Sequence, residues 1–196
     1  MRLVVATRNE HKLRELGEIL SGFDLVPLPP EVELPPEEGE TFAANAMIKA
    51  RAARAAGGGA ALADDSGISA RALDGRPGVR SARYAGEHAT DEQNLALLID
   101  ELRDHEDRAV AYICALAYVD ADGAEIVVEG RCEGELISEP RGDGGFGYDP
   151  AFVPSDTGPG DRRTMAELDP AEKHAISHRG RAAAALRRVL EAGGER

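Results

Sequence analysis

The stretch 109–119 reads Ala-Val-Ala-Tyr-Ile-Cys-Ala-Leu-Ala-Tyr-Val, and after Asp120-Ala121-Asp122-Gly123 the run 124–134 reads Ala-Glu-Ile-Val-Val-Glu-Gly-Arg-Cys-Glu-Gly. Two long runs of strand-forming residues around an Asp- and Gly-containing turn predict a hairpin of antiparallel strands. Upstream, 2–6 reads as a buried strand that runs into Thr7-Arg8-Asn9-Glu10-His11-Lys12, after which Leu13, Leu16, Ile19 and Leu20 recur at helical spacing. A second short strand is expected over 24–28, then a Pro- and Glu-rich loop over 29–40. Thr41 can cap a helix running to about residue 56, closed by Gly57-Gly58-Gly59. Ala60-Ala61-Leu62-Ala63 reads as a short apolar strand that ends at Asp64-Asp65-Ser66-Gly67. Strands alternating with helices point to an α/β domain, and the hairpin excludes a purely parallel sheet. One domain with a mixed sheet, spanning 1–196 in one lobe or two, is therefore expected.

Further along, Thr90-Asp91-Glu92-Gln93 is a capping box that opens a helix with Leu95, Leu98, Ile99 and Leu102 on one face. Asp169-Pro170 with Glu172 starts another helix, and a last Ala/Leu/Arg-rich helix ends at Gly193-Gly194.

The formal charge is −13, from 36 acidic against 23 basic residues. A surface this acidic repels polyanions, so neither a nucleic-acid partner nor a membrane surface is expected. No apolar stretch approaches the roughly 18 residues of a membrane span, and the start Met1-Arg2-Leu3-Val4-Val5 has no signal-peptide pattern, which predicts a cytoplasmic protein. Cys114 and Cys132 lack Cys-x-x-Cys spacing and a neighbouring His, and read as buried free thiols. His11, His88, His105 and His174 show no ligand spacing, which disfavours zinc. The 23 basic residues include only three lysines, Lys12, Lys49 and Lys173. A lysine offers phosphate a compact point charge where arginine offers a rigid fork, although composition alone leaves chance the safer explanation.

Several polar segments stand where such folds place chemistry. Thr7 to Lys12 precedes a helix, whose N-terminal N–H groups bind phosphate; a plain cap accounts for Thr7 or Asn9 equally well. Asp64-Asp65 offers a hard cation adjacent carboxylates, of which one can also activate water. An Asx-turn is the competing explanation and covers one Asp better than two. The acidic run Pro36-Glu37-Glu38-Gly39-Glu40 reads as a solvated loop. In Gly144-Gly145-Phe146-Gly147-Tyr148-Asp149-Pro150 the glycines permit close approach of a ligand and the two rings can sandwich a base; a bulged turn with two core aromatics is an equal reading. Lys173 and Ser177-His178-Arg179-Gly180 form a donor patch or an exposed helix break.

In order along the chain, Thr7-x-Asn9-x-x-Lys12, Thr41-Phe42-x-x-Asn45-Ala46-x-x-Lys49-Ala50, Ala63-Asp64-Asp65-Ser66-Gly67, Pro77-Gly78-Val79-x-Ser81-Ala82-Arg83-Tyr84, Gly144 to Pro150 and Lys173-x-x-Ile176-Ser177-His178-Arg179-Gly180 resemble the inosine-triphosphate pyrophosphatase family, which acts on ITP, dITP and XTP. The resemblance implies an elongated mixed twisted sheet flanked by helices, a substrate cleft between two lobes, and a homodimer. It implies hydrolysis between the α- and β-phosphates, releasing pyrophosphate and cleansing the nucleotide pool, with Mg²⁺ as cofactor, one or more per subunit. On this pattern Asp65 accepts the proton of the attacking water, Asp64 assists it, and Asp65 with Glu37 holds metal. Thr7, Arg8, Asn9, Glu10, His11, Lys12, Lys49 and Ser66 bind the nucleoside triphosphate. Phe146, Gly147, Tyr148, Asp149, Lys173, His178 and Arg179 read the base, with donors for the O6 acceptor of inosine or xanthosine. The chain departs from the pattern at Arg8, where the family commonly has Gly, and at Ala44, where it often has Glu. A Maf-like pyrophosphatase on modified or ordinary nucleotides, or a non-catalytic nucleotide-binding regulator, are the alternatives.

Overall fold

Short apolar runs punctuated by helix caps assemble into one six-stranded sheet. The computed structural model describes residues 1–57 and 59–193, so Gly58 and Gly194, two of the expected helix-closing glycines, lie outside the described residues. The order of elements is β1 (Arg2–Val5), α1 (Glu10–Ile19), β2 (Asp24–Pro27), α2 (Phe42–Gly57), β3 (Ala61–Ala70), α3 (Asp91–Glu101), β4 (Ala109–Val119), β5 (Glu125–Leu136), β6 (Phe152–Pro154), α4 (Pro170–Ile176) and α5 (His178–Gly193), with short 3-10 turns between several of them. The strands lie in the order β2-β1-β3-β4-β5-β6. β1 pairs in parallel with both β2 and β3, whereas β6 runs antiparallel to β5. The sheet is thus mixed, as the hairpin required. Asp120 N–H bonds the Ala124 carbonyl at 2.9 Å, closing a connection so short that β4 and β5 can only be antiparallel neighbours.

Local chemistry explains most boundaries. Asn9 caps α1 by accepting from the backbone N–H of His11 and Lys12. The expected capping box forms on α3, Thr90 with Gln93, and the expected cap Asp169 on α4 makes a second one with Glu172. One boundary differs from expectation. The strand expected to end before Asp64 instead runs through both aspartates to Ala70. Aspartate and glycine are poor strand formers, but strand preference yields readily to burial and pairing. Here Asp64 and Asp65 are 1% and 5% exposed.

The chain divides into two compact units, one of Met1–Asp65, Cys114–Gly130 and Arg179–Arg196, the other of Ser66–Ile113 and Arg131–His178. The core of the first gathers Leu3, Val5, Leu16, Leu62, Leu116 and Leu186. That of the second is built around Ile68, Leu98, Tyr112, Leu136, Phe152 and Met165. Cys114 and Cys132 are buried free thiols, as expected. No helix among the described residues is long and apolar enough to cross a membrane.

The β5–β6 pairing in the second unit depends on a missing side chain. Gly134 faces Pro154 in register, and a Cβ there would fall 2.5 Å from the Val153 carbonyl oxygen and 2.7 Å from the Phe152 ring. Gly134→Ala is therefore expected to destabilise the protein by about 1–3 kcal/mol, the usual cost of overpacking, read as a lower midpoint in urea with an unchanged slope.

Candidate active site

Adjacent residues on a strand point to opposite faces, so Asp64 and Asp65 of β3 recruit separate partners within the first unit. Asp64 Oδ1 accepts from Lys12 Nζ of α1 at 2.5 Å, and its Oδ2 accepts from Arg179 Nε at 2.9 Å and from the Cys114 thiol at 3.1 Å. The same guanidinium donates from Nη1 to Glu15 Oε2 of α1 at 2.5 Å. Burial alone would raise the Asp64 carboxyl, but the positive charges of Arg179 and Lys12 outweigh it and hold the group ionised, well below the usual carboxylate range. Burial, reinforced by the neighbouring Asp64 charge, pushes the Cys114 thiol well up. It therefore acts as a neutral donor.

Asp65 has the opposite character. Its Oδ1 accepts from Lys49 Nζ of α2 at 3.2 Å, and that ammonium also donates to Glu37 Oε1 at 2.5 Å. Burial, with the Glu37 charge adding to it, raises the Asp65 carboxyl despite the opposing pull of Lys49 and Lys12. Burial works against the charged form of Lys49, yet Asp65 and Glu37 prevail and raise it, so this lysine stays protonated. Asp65 Oδ2 is buried and has no hydrogen-bond partner among the described residues. An orphaned carboxylate oxygen in such a place is costly. It is an oxygen that a hard cation would satisfy, with Glu37 close by through their shared lysine. Four carboxylates, Glu15, Glu37, Asp64 and Asp65, face three cations, Lys12, Lys49 and Arg179. The surplus negative charge suits a divalent ion. Among the described residues no three His, Cys, Asp or Glu side chains converge as a complete metal cage.

The other residues named from the first loop take more modest places. Thr7 Oγ1 accepts from Asn9 N–H at 3.1 Å, and Asn9 is itself the helix cap, so both side-chain oxygens serve the turn. Glu10 and His11 are exposed, with His11 Nδ1 2.8 Å from Arg14. Arg8 turns away from the helix start, to carbonyl oxygens of the segment that follows β2.

In the second unit Asp149 organises the glycine-rich loop. It accepts from Phe146 N–H at 3.0 Å, from the Tyr112 hydroxyl at 3.0 Å and from Lys173 Nζ at 2.8 Å. Gly145, at φ +72°, brings its backbone so close to this carboxylate that a Cβ would collide with it. The Lys173 ammonium lies 5.4 Å from the centre of the Phe146 ring, within cation–π range. The His178 ring stacks on Tyr112 with centres 4.5 Å apart. Gly147 N–H bonds Asp91 at 2.8 Å, and Ser66 is half-buried on β3.

Two residues sit elsewhere than the sequence reading put them. Tyr148 belongs to the core, its hydroxyl donating to the Ser81 carbonyl at 2.8 Å, whereas Phe146 is half-buried. Arg179, expected to read the base, is 1% exposed and spent on Asp64 and Glu15. Sequence reasoning missed Glu15, Cys114 and Tyr112 as members of these clusters. For Cys114 and Tyr112 the only signal was a polar group within the apolar run 109–119; Glu15, beside Arg14, carried none.

The family model described as the Ham1 family matches residues 3–189. A protein of Mycolicibacterium paratuberculosis named dITP/XTP pyrophosphatase is 50% identical over 198 residues, covering 96% of this chain and 95% of its own length. The solved structure of a HAM1 protein from Coxiella burnetii superposes with a TM-score of 0.86 at 42% identity, covering 97% of this chain and 98% of its own. The Staphylococcus aureus Ham1 protein gives 0.85 at 36% identity, with both chains covered completely.

The depressed Asp64 carboxyl makes stability depend on pH in a definite sense. Its folded value lies below its unfolded one of about 3.9, so its contribution is complete above that pH and is lost as the pH falls through the folded value. Asp64→Asn should flatten the loss of stability below about pH 4. At neutral pH it should cost about 3–5 kcal/mol by leaving Arg179 and Lys12 without their shared carboxylate. Urea titrations of both proteins from pH 7 to pH 2 would measure each effect.

Proposed function

This chain belongs to the Ham1 family, and from that premise we propose that it hydrolyses dITP, XTP and related non-standard purine nucleoside triphosphates to the monophosphate and pyrophosphate. The observation that carries the reading is the pair of neighbouring aspartates with opposite proton affinities, each fronted by a lysine. Asp65, with its raised carboxyl and its Oδ1 released when Lys49 turns to phosphate, is the proton acceptor for the attacking water. Asp64, held ionised, maintains the field that favours proton transfer to its neighbour. Lys12 and Lys49 exchange carboxylate partners for phosphate oxygens as the triphosphate enters, a trade suited to flexible point charges.

Asp65 Oδ2 and Glu37 are the oxygens proposed to hold Mg²⁺. Bound there, the ion supplies Lewis-acid stabilisation of the phosphate charge. In the second unit, the Lys173 ammonium and the His178 ring are proposed to offer donors to the O6 acceptor of the base, while Phe146 stacks on it. Adenine, with an amino group at that position, would leave those donors unpaired and so be rejected. The same reading takes the whole chain as one pyrophosphatase domain and the enzyme as a cytoplasmic, magnesium-dependent homodimer.

Removing a general base costs about 10²–10⁴ in rate. Asp65→Asn is expected to lose pyrophosphate release on that scale while keeping its circular dichroism and melting behaviour, and unchanged turnover would exclude Asp65 from the role. Across dITP, XTP, dGTP and dTTP, assayed with and without Mg²⁺, the first two should be preferred and the metal required. A preference for dTTP would overturn the substrate assignment.

A further inference from the structure

Arg8 occupies a position that the family pattern commonly gives to glycine, and its guanidinium makes contacts that no glycine could. Nη1 donates to the Leu28 carbonyl at 2.9 Å, and Nη2 reaches the carbonyls of Pro29 at 2.8 Å, Pro30 at 3.3 Å and Val32 at 2.6 Å. These oxygens open the segment 28–40, which contains no helix or strand. Its prolines at 29, 30, 35 and 36 remove the N–H groups that a ladder would need. Such a segment must be located by outside contacts. Its far end is pinned where Gly39 N–H donates to Asn45 Oδ1 at 2.7 Å, Asn45 being fully buried on α2. Between the two anchors lies Glu37, 2.5 Å from the lysine that also touches Asp65.

We infer that Arg8 is a positioning residue for the metal site, strapping the 28–40 segment so that Glu37 is delivered beside Asp65, rather than a ligand of the triphosphate. A cation on neutral carbonyls makes the stronger, charge-assisted kind of hydrogen bond. Only the arginine fork spans several acceptors at once; lysine replaces it incompletely. The inference rests on the proposed role of Glu37 and Asp65 as metal ligands, and it ties Arg8 to metal affinity, where a phosphate contact would tie it to substrate affinity.

Arg8→Gly and Arg8→Lys, made in the full chain, test it. Calorimetric Mn²⁺ binding without nucleotide should weaken about tenfold in Arg8→Gly, equivalent to about 1.4 kcal/mol, and less in Arg8→Lys. Protease cleavage within 28–40 should accelerate in the same order. The Mg²⁺ concentration for half-maximal pyrophosphate release should rise, with the KM for dITP at saturating Mg²⁺ unmoved. In a Glu37→Gln background, Arg8→Gly should have no further effect on Mn²⁺ affinity, the signature of action through Glu37. A raised KM for dITP with Mn²⁺ affinity intact would make Arg8 a phosphate ligand and overturn the inference. So would unaltered Mn²⁺ affinity and cleavage, or a wild-type protein that binds no Mn²⁺. Failure of the wild type to release pyrophosphate would instead count against the pyrophosphatase reading, because Mn²⁺ binding and cleavage report on the strap without turnover.

Discussion

The ion cluster around Asp64 is the constraint to which the first unit is built. A carboxylate with essentially no solvent exposure costs several kcal/mol unless its oxygens are paired on all sides. Here α1 supplies Lys12, α5 supplies Arg179 and β4 supplies the Cys114 thiol. Arg179 in turn needs Glu15, one helical turn beyond Lys12 on α1. Three elements are thereby tied to one side chain of β3, and displacement of either helix would leave a buried charge short of a partner. Arg179 even stands in the first turn of α5, where the helix dipole disfavours a cation. Asp64 and Glu15 outweigh that penalty.

The division of labour between the two aspartates follows from strand geometry. Because β3 continues through them, successive side chains alternate across the pleat, and the two carboxyl groups bond different cations. Asp64 is bonded by two cations and stays ionised; Asp65 is bonded by one lysine, beside a second carboxylate and with little water, and its proton affinity rises. Identical side chains thus acquire unlike chemistry from a shift of one residue.

This is also where the limit of the sequence lies. Caps, capping boxes and the β4–β5 hairpin were legible because they depend on residues within four positions of one another. The extension of β3 was not, since only burial against distant elements makes Asp-Asp-Ser-Gly acceptable in a strand. The ordered motifs marked both aspartates and all three lysines as site residues, but not their pairing. The bond from Arg179 to Glu15 joins residues 164 positions apart, and no periodicity encodes it. Tyr148 misled for a related reason. Its place beside glycines suggested an open ring, whereas a carbonyl of Ser81, 67 residues away, draws its hydroxyl into the core.

The scarcity of lysine acquires a physical meaning from these contacts. Arginines do the fixed work: Arg8 on the carbonyls of 28–32, Arg54 on those of Asp120 and Ala121, and Arg179 between two carboxylates. Each uses the planar fork to hold several acceptors in one geometry. All three lysines rest on a carboxylate of a candidate site instead, Lys12 on Asp64, Lys49 on Asp65 and Glu37, and Lys173 on Asp149. An ammonium ion has three donors and no fixed plane, so it can keep one carboxylate while offering its remaining protons to an incoming oxygen. A guanidinium locked into two partners would have to break both bonds to do the same. On the proposed mechanism lysine therefore stands where a partner changes, and these arginines where it does not.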